Sequence, residues 1–364
     1  MNLAQMIYDQ FVQMLHERCP ETCDDTTACR LVSLIEAHCP RFSTGDGKAL
    51  IDHSVRGYDV YLVCDVGNYG CTYELFNKPV PIPMSPDEHY ADLKRIISAI
   101  GGMSNHITVI MPLLYGGRQH KRTGRESLDC AMMLQELERM GVSNIITFDA
   151  HDPRVQNAVP LMGFDNVMPT YQVLKAMMKK YTDLVVDKEH MMIVSPDEGA
   201  MDRNMYYASV LGLDLGMFYK RRDYSTMLNG RHPIVSHEYL GNSVEGKDIF
   251  VSDDIISSGD SMLRLARDLK ERGCRRIFMF ATYALFTEGL EAFNKAFSEG
   301  LFDAVFSTNL TYQPPELLEA PWYTEVDATK YAATFIFAMH QNQSVSSLLD
   351  PHSKISALLN KNKQ

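Results

Sequence analysis

The sequence lacks several features that mark common classes of protein. Its 46 acidic residues outnumber its 35 lysines and arginines, for a net charge of −11, whereas nucleic-acid-binding proteins are more often basic. No apolar run is long enough to cross a bilayer. The N-terminus has neither the basic region nor the small-residue cleavage site of a signal peptide. We therefore expect a cytoplasmic protein that binds neither nucleic acid nor membrane.

Two familiar nucleotide-binding loops are also missing. Neither G-x-x-x-x-G-K-[ST] nor G-x-G-x-x-G occurs, which excludes a Walker A loop and a Rossmann fingerprint. Eight cysteines are present, and the intervals between the four nearest the N-terminus do not fit common zinc patterns. This spacing favours buried or free thiols over a metal site, and the scatter of the other four cysteines fits a reducing compartment.

The stretch 248–272 combines a strand, a loop of small polar residues and a helix. Ile249–Val251 is an apolar run, and Ser252–Ser261 is predicted to be a polar turn. A helix is predicted to follow, because apolar residues then recur at helical spacing, at Met262, Leu265, Ala266 and Leu269.

Such a loop can bind a phosphate, because the first N–H groups of the helix and the positive end of its dipole face an anion. Small side chains at Ser257, Ser258 and Gly259 let the backbone approach closely, and Asp253 and Asp254 can accept hydrogen bonds from ribose hydroxyls. From the pattern alone, an ordinary βα loop with two solvated acids is the alternative.

Other polar segments also follow predicted strands. The loop 112–126 is rich in arginine and lysine, and guanidinium groups bind phosphates in bidentate fashion. His151 ends the next strand, and the segments 195–199 and 220–222 end two strands in the second half. Ligands of α/β proteins bind at the carboxyl ends of strands, so we interpret the loop 112–126 as a candidate polyphosphate site. The three adjacent cations at 220–222 repel one another, and a diphosphoryl group would offset that cost. Solvated charged turns are the alternative.

From about residue 41 to the C-terminus, these motifs resemble in number and order those of the ribose-phosphate pyrophosphokinases. The matching segments are RFSTGD (41–46), RQ…GRE (118–126), DAH (149–151), SPDEG (195–199), KRR (220–222) and DDIISSG (253–259). The last also resembles the loop of type I phosphoribosyltransferases. That class typically has one such domain, and the RQ…GRE and KRR segments argue against it.

The resemblance implies an α/β fold with two phosphoribosyltransferase-like domains, each a parallel sheet flanked by helices. We expect an N-terminal, ATP-side domain at residues 1–166, completed by a C-terminal helix at residues 342–364. The ribose 5-phosphate domain would span residues 167–341. The proline-rich segment 64–87 looks like an insertion relative to the family.

The implied reaction transfers the β,γ-diphosphoryl group of ATP to the 1-hydroxyl of ribose 5-phosphate, giving phosphoribosyl diphosphate and AMP. By resemblance, ATP is bound by Arg118 and Gln119, and by Phe42 and Asp46 of a neighbouring subunit. A homo-oligomer, a dimer or a hexamer, is therefore expected.

The remaining roles also come from the resemblance. Mg2+ is held by His151 and Asp197, and the catalytic residues are Lys220, Arg222 and His151. Ribose 5-phosphate is bound by Asp253, Asp254, Ser257, Ser258, Gly259, Asp260 and Ser261.

Two positions depart from the family pattern. Ser257 stands where the family usually has a third acid, and Asp260 stands where it usually has glycine or threonine. A carboxylate beside a phosphate repels it unless the side chain points away. The alternative function is therefore a non-catalytic or regulatory paralogue that binds nucleotide and associates with an active enzyme.

Overall fold

A computed structural model describes residues 3–18, 32–75, 80–222 and 234–361, with the backbone alone at residues 220–222, 234–237 and 361. The chain forms two compact units. The first contains Met1–Pro169, Asn309–Tyr312 and Asp327–Leu349, and the second contains Thr170–Thr308, Gln313–Val326 and Asp350–Gln364.

The secondary structure alternates between strands and helices. Up to residue 167, the elements are α1 (Leu3–Arg18), β1 (Ala37–His38), β2 (Leu50–Ile51), β3 (Asp59–Val63), β4 (Thr72–Tyr73), β5 (Ile82–Pro83), α2 (Pro86–Ile100), β6 (His106–Ile110), α3 (Asp129–Arg139), β7 (Asn144–Phe148), a 3-10 helix (Pro153–Ala158) and β8 (Gly163–Val167). Beyond it, they are α4 (Thr170–Lys180), β9 (Met191–Ser195), α5 (Met201–Leu211), β10 (Asp214–Arg222), β11 (Ile234–Leu240), β12 (Asp248–Ile256), α6 (Asp260–Glu271), β13 (Arg276–Ala284), α7 (Glu291–Ser298), β14 (Ala304–Thr308), α8 (Pro315–Leu318), β15 (Tyr323–Val326), α9 (Thr329–His340), α10 (Ser346–Leu349) and α11 (His352–Lys361).

The first unit is built on a four-stranded parallel sheet in the order β3-β6-β7-β8. Helix α2 begins with a capping box between Ser85 and Glu88 and ends at Gly101, which adopts the left-handed conformation that glycine allows. Its apolar face packs with the sheet and with α3 in one core. Helix α1 packs on α9, where the rings of Phe11 and Phe337 are 5.7 Å apart.

The second unit is built on a seven-stranded sheet in the order β11-β10-β9-β12-β13-β14-β15. All neighbours are parallel except β10 and β11. Successive residues of β12 enter different cores: Ile249 and Val251 pack with α6 and α7, and Phe250 packs with α4 and α5. Helices therefore cover both faces of this sheet, which explains the continuous apolar runs of its central strands.

The predicted α/β fold, with parallel sheets flanked by helices in two units, is confirmed. The predicted turn Ser252–Ser261 is wrong in extent. Strand β12 continues to Ile256, because its backbone pairs with β13 as far as Ile256 opposite Ala284. Only three residues, Ser257–Gly259, separate the strand from α6.

The C-terminal part differs from the prediction in two ways. Residues 342–364 do not form one helix, because Pro351 separates α10 from α11 and proline disfavours a helical residue before it. The units also differ from the predicted domains here, since α9 belongs to the first unit and α11 to the second. In the described part of the chain, no helix is both long and apolar enough to cross a bilayer.

Candidate functional site

The order of the strands in the second unit reverses between β9 and β12. The chain passes from β9 outward to β10 in one direction, and from β12 outward to β13, β14 and β15 in the other. In open parallel sheets, ligands bind at the carboxyl ends of the strands beside such a switch point. The predicted site residue Asp197 follows β9, and the predicted site residues 253–261 begin in the carboxyl-terminal end of β12 and continue into α6.

Strand β9 is short, whereas the strands on both sides of it continue further. Its pairing with β10 ends at Ser195 opposite Met217, and its pairing with β12 ends at Ile193 opposite Phe250. Strand β10 runs on to Arg222 and β12 to Ile256. The backbone of Lys220 and Arg222 thus lies beyond the end of β9 on one side, and the two predicted ribose-binding acids lie beyond it on the other.

Asp253 and Asp254 lie in the extended end of β12. Asp254 is buried, and the Nη1 atom of the buried Arg203 is 3.5 Å from Asp253 Oδ1. Burial and the neighbouring Asp254 carboxylate raise the pKa of Asp253 above its ordinary value, and Arg203 opposes that shift. Acids with strongly perturbed pKa values in a cleft are typical of functional sites.

The loop Ser257–Gly259 is fixed from two sides. The N–H groups of Leu285 and Thr287 donate to the carbonyl groups of Ile256 and Ser257 at 2.9 and 3.0 Å. Gly259 has a φ of +84°, and the ring of Phe293 leaves no room for a Cβ atom there. A left-handed residue with no space for a side chain requires glycine.

Helix α6 follows this loop and is long enough, at 12 residues, to present a helix N-terminus to an anion. Asp260 is its first residue and is exposed, and its backbone N–H is 3.5 Å from Ser258 Oγ. The Ser257 hydroxyl lies 3.4 Å from that of Thr287. Ser261 is exposed in the first turn.

The turn after β9 holds Asp197 and is locked to β12 by an asparagine. Asp197 Oδ1 accepts the N–H groups of Gly199 and Ala200 at 2.9 and 3.2 Å. The fully buried Asn204 donates to the carbonyl groups of Ser252 and Ala200, both at 2.8 Å, and accepts the Ser252 N–H. Asn204 therefore sets the distance between the two central strand ends.

In the first unit, the segments after β6 and β7 bring two imidazoles together. The rings of His120 and His151 are 5.2 Å apart, and His120 Nε2 lies 3.5 Å from an oxygen of Asp152. Hydrogen bonds from Arg154 lower the pKa of Asp152 to about 2, and burial lowers the pKa of His120. His151 is exposed, and the preceding Asp149 adopts a φ of +48°.

The other predicted ATP residues of this unit lie on two segments. Arg118 is exposed in the loop after β6, and Gln119 Nε2 donates to the Ser127 carbonyl at 2.9 Å. Phe42 and Asp46 lie on a turn in which Phe42 N–H donates to the Asp46 carbonyl at 2.7 Å. The Phe42 ring is 54% exposed, and Lys48 Nζ is 5.8 Å from its centroid.

Metal-binding groups are sparse in both units. Among the described side chains, no three histidine, cysteine or acidic groups cluster closely enough to hold a metal ion. Mg2+ is usually bound by one or two protein groups, several waters and substrate phosphates. The exposed His151 in the first unit and the half-buried Asp197 in the second are each one protein group of the kind that such an ion uses.

Sequence reasoning missed several residues that shape the site. Asn204 joins the ends of the two central strands of the second unit, Arg203 lies against Asp253, and Asp152 lies beside His120 in the first unit. Arg203 and Asn204 sit in an unremarkable helical stretch, so no pattern marks them. Asp152 follows the DAH motif directly, and that proximity was the one available signal.

Sequence similarity to known proteins extends over both units. Residues 3–141 match the sequence model of the N-terminal domain of ribose phosphate pyrophosphokinase, and residues 164–292 match that of the phosphoribosyl transferase domain. The ribose-phosphate pyrophosphokinase of Vibrio parahaemolyticus is 27% identical over 328 residues, which cover 88% of this chain and 92% of that protein. That of Pasteurella multocida is 28% identical over 289 residues, covering 78% and 81%.

The fold is shared with a solved structure. The crystal structure of phosphoribosylpyrophosphate synthetase from Mycobacterium smegmatis aligns with a TM-score of 0.71 at 20% identity, covering 92% of this chain and 95% of that one. The fold and the switch-point site thus define a two-domain protein of the phosphoribosyltransferase type. More specifically, the chain belongs to the ribose-phosphate pyrophosphokinase family, and the predicted resemblance is confirmed.

Proposed function

We propose that this protein is a ribose-phosphate diphosphokinase. It transfers the β,γ-diphosphoryl group of ATP to the 1-hydroxyl of ribose 5-phosphate and releases AMP and phosphoribosyl diphosphate. The observation that carries the proposal is the site beside β9 and β12, where a glycine-fixed loop, a helix N-terminus and an acidic pair meet at a switch point.

The second unit binds ribose 5-phosphate. Backbone N–H groups of Ser257–Ser261 hold the 5-phosphate, and Asp253 and Asp254 accept hydrogen bonds from the ribose hydroxyls. Arg203 lies against Asp253 and opposes the rise in the pKa of Asp253 that burial and Asp254 cause, which supports this role because a diol needs an ionised carboxylate. Binding the diol also gives the two carboxylates hydrogen bonds, which offset part of the free-energy cost of burying them.

The first unit binds ATP. Arg118 and Gln119 hold the nucleotide beside His151, while Phe42 and Asp46 reach the adenine of a neighbouring subunit. The exposed aromatic ring of Phe42 supports this role, because an adenine base can stack on it. The protein accordingly works as a homo-oligomer, a dimer or a hexamer.

His151 and Asp197 would each contribute to holding Mg2+ that binds together with ATP. When bound, it neutralises phosphate charge and orients the polyphosphate. The chain's own catalytic contribution is cationic. The backbone of Lys220 and Arg222 lies beyond the end of β9, and we assign to these two cations the stabilisation of the diphosphoryl group as it is transferred. Transfer of such a group depends mainly on positioning and charge stabilisation.

Turnover of the purified protein with Mg-ATP and ribose 5-phosphate, with AMP measured by chromatography, tests the proposal. AMP that forms only when the sugar phosphate is present supports it. ATP binding by calorimetry without any AMP formation would instead establish the alternative, a regulatory paralogue. The exposed Asp260 beside the phosphate loop is the feature that favours this alternative, and it would be the first residue to replace.

A further inference from the structure

The turn at residues 41–47, here called the nucleotide turn, holds its shape through internal bonds. Arg41 and Gly47 form an antiparallel bridge, and Gly45 N–H donates to the Phe42 carbonyl at 2.8 Å. The Thr44 hydroxyl donates to Asp46 Oδ2 at 2.8 Å. These bonds fix the turn internally, but they do not fix where it lies on the first unit.

Two of the residues that fix its position, Tyr73 and Leu75, come from the segment that the sequence marks as an insertion. Strands β4 and β5 of that segment pair antiparallel, Thr72 with Pro83 and Tyr73 with Ile82. We call the described residues 71–75 and 80–84 the insertion ribbon. Its base is closed by Met84 N–H, which donates to the Cys71 carbonyl at 2.8 Å.

The first contact between the ribbon and the turn is apolar. A Cβ atom added to Gly45 would lie 2.7 Å from Cδ1 of Leu75, so the leucine packs directly against the glycine backbone. Gly45 has a φ of +97°, which an L side chain rarely adopts. The half-buried Leu75 therefore occupies the face of the turn that Gly45 leaves open.

The second contact is between a cation and an aromatic ring. The Arg41 guanidinium lies 5.5 Å from the centroid of Tyr73 and donates two hydrogen bonds of 2.8 Å to Asp92 on α2. The Tyr73 hydroxyl is hydrogen-bonded to Glu88 of the same helix, which raises the pKa of the phenol. Arg41 is thus enclosed between the ribbon and α2, at the residue where the turn begins.

We propose that the insertion ribbon is a positioning element for nucleotide binding: Leu75 and Tyr73 hold the nucleotide turn so that Phe42 and Asp46 meet the adenine. The inference rests on the proposed function, because it takes the role of Phe42 and Asp46 from there. It adds a role for a segment that the resemblance leaves without one. Neither Leu75 nor Tyr73 touches the nucleotide in this arrangement, so both act through the turn.

The test is Leu75→Ala, with Val80→Ala as the matched control. Val80 lies in the same ribbon but is 67% exposed. ATP binding is measured by calorimetry without ribose 5-phosphate, and the KM values for both substrates are measured with kcat. We expect ATP to bind L75A about fivefold to tenfold more weakly, as for loss of one half-buried side chain's packing. V80A should bind ATP as tightly as the wild type. Neither variant should change the KM for ribose 5-phosphate.

A second pair of variants distinguishes positioning from general support of the fold. Tyr73→Phe keeps the ring beside Arg41, and Tyr73→Leu removes it. Y73F should bind ATP with wild-type affinity, and Y73L should bind ATP several-fold more weakly. The two variants should have equal melting temperatures.

The outcomes separate the two proposals. Equal ATP affinity in wild type, L75A and Y73L overturns the inference and leaves the proposed function standing. No ATP binding by the wild type overturns the proposed function. If L75A and Y73L lost affinity for ribose 5-phosphate to the same degree as for ATP, the result would show a general loss of folding. That result would also overturn the inference.

Discussion

Gly259→Ala would test whether the loop between β12 and α6 is a rigid seat. Gly259 has a φ of +84°, and an added Cβ would overlap Cε2 of Phe293 and lie 2.5 Å from its Cζ. The Phe293 ring cannot move aside easily, because it is fully buried against Phe286 and Trp322 at 4.9 and 5.4 Å between ring centroids. The matched control is Gly246→Ala, at a φ of +70° with nothing within 4 Å of the added atom.

The two variants should differ by the cost of the clash. A left-handed alanine costs about 1 kcal/mol, and that is the whole expected loss of unfolding free energy for G246A. Overpacking in a closed core costs about 1–3 kcal/mol more. G259A should therefore lose about 2–4 kcal/mol, and ribose 5-phosphate should bind it more weakly because the loop backbone has moved. G246A should bind the sugar phosphate normally.

Urea unfolding followed by tryptophan fluorescence measures this difference in unfolding free energy with a probe beside Phe293. Trp322 is the only tryptophan in the chain, and it belongs to the same aromatic cluster as Phe293. In the double variant G259A/F293L, the smaller side chain should recover about 1 kcal/mol relative to the sum of the single variants. If G259A and G246A lost the same free energy, or if the double variant were strictly additive, the rigid-seat argument would be refuted.

Three further predictions concern charge at the proposed site. Lys220→Ala should lower kcat by about 10²–10³-fold with ATP affinity largely kept; an equal loss of ATP affinity would contradict a transition-state role. Asp260→Asn should lower the KM for ribose 5-phosphate a few-fold, since a like charge leaves the phosphate loop, while α6 loses about 0.3–1 kcal/mol of dipole stabilisation; an unchanged KM would mean that the carboxylate points away. Asp253→Asn should raise the melting temperature of the free protein while weakening sugar-phosphate binding. The pKa of Asp253 is raised in the folded state, so the folded protein binds the extra proton, and wild-type stability falls as pH rises above the ordinary aspartate pKa. The advantage of D253N should grow between pH 5 and pH 8, and a constant difference would show that Asp253 does not titrate abnormally.

The sequence predicted the parts of the fold that depend on periodic apolar residues. The apolar run Ile249–Val251 and the helical spacing after Ser261 correctly indicated β12 and α6, because both bury one or two faces in a continuous core. Where polar residues carry secondary structure, the prediction failed. Ser252–Ile256 has the composition of a turn but forms a strand, because β13 offers it a partner as far as Ala284.

The wrong prediction of a single helix at residues 342–364 had a different cause. Asp350-Pro351 was visible in the sequence as a helix boundary, so a single helix at 342–364 could have been rejected. The assignment of α9 to the first unit could not have been predicted in this way. It depends on packing against α1, where Arg18 lies 4.7 Å from the Phe337 ring centroid, and sequence periodicity shows that a helix has an apolar face but not which element covers it.

In the site too, features that depend on local sequence can be predicted, whereas features that depend on tertiary contacts cannot. The loop Ser257–Gly259 can be identified from sequence, because small residues before a helix N-terminus have one obvious use. Its rigidity cannot be identified in this way, because it depends on Phe293 and on backbone bonds from residues 285–287. Asn204 is a second case: one buried amide joins Ser252 to Ala200 across two strands, and nothing in the neighbouring sequence marks it.

On the proposed function, the shortness of β9 explains how an acidic protein could bind both the single phosphate of a sugar and the polyphosphate of a nucleotide. Because β9 stops at Ser195 while β10 and β12 continue, it leaves a gap with the backbone of Lys220–Arg222 on one side and two acids on the other. On the proposed function, uncharged N–H groups seat the phosphate that does not react, so the cations of β10 remain for the group that is transferred. A phosphate loop rich in lysine would compete with those cations for the polyphosphate of ATP. Neutral residues at Ser257, Ser258 and Gly259 therefore favour specificity for a sugar phosphate over tight binding of any anion.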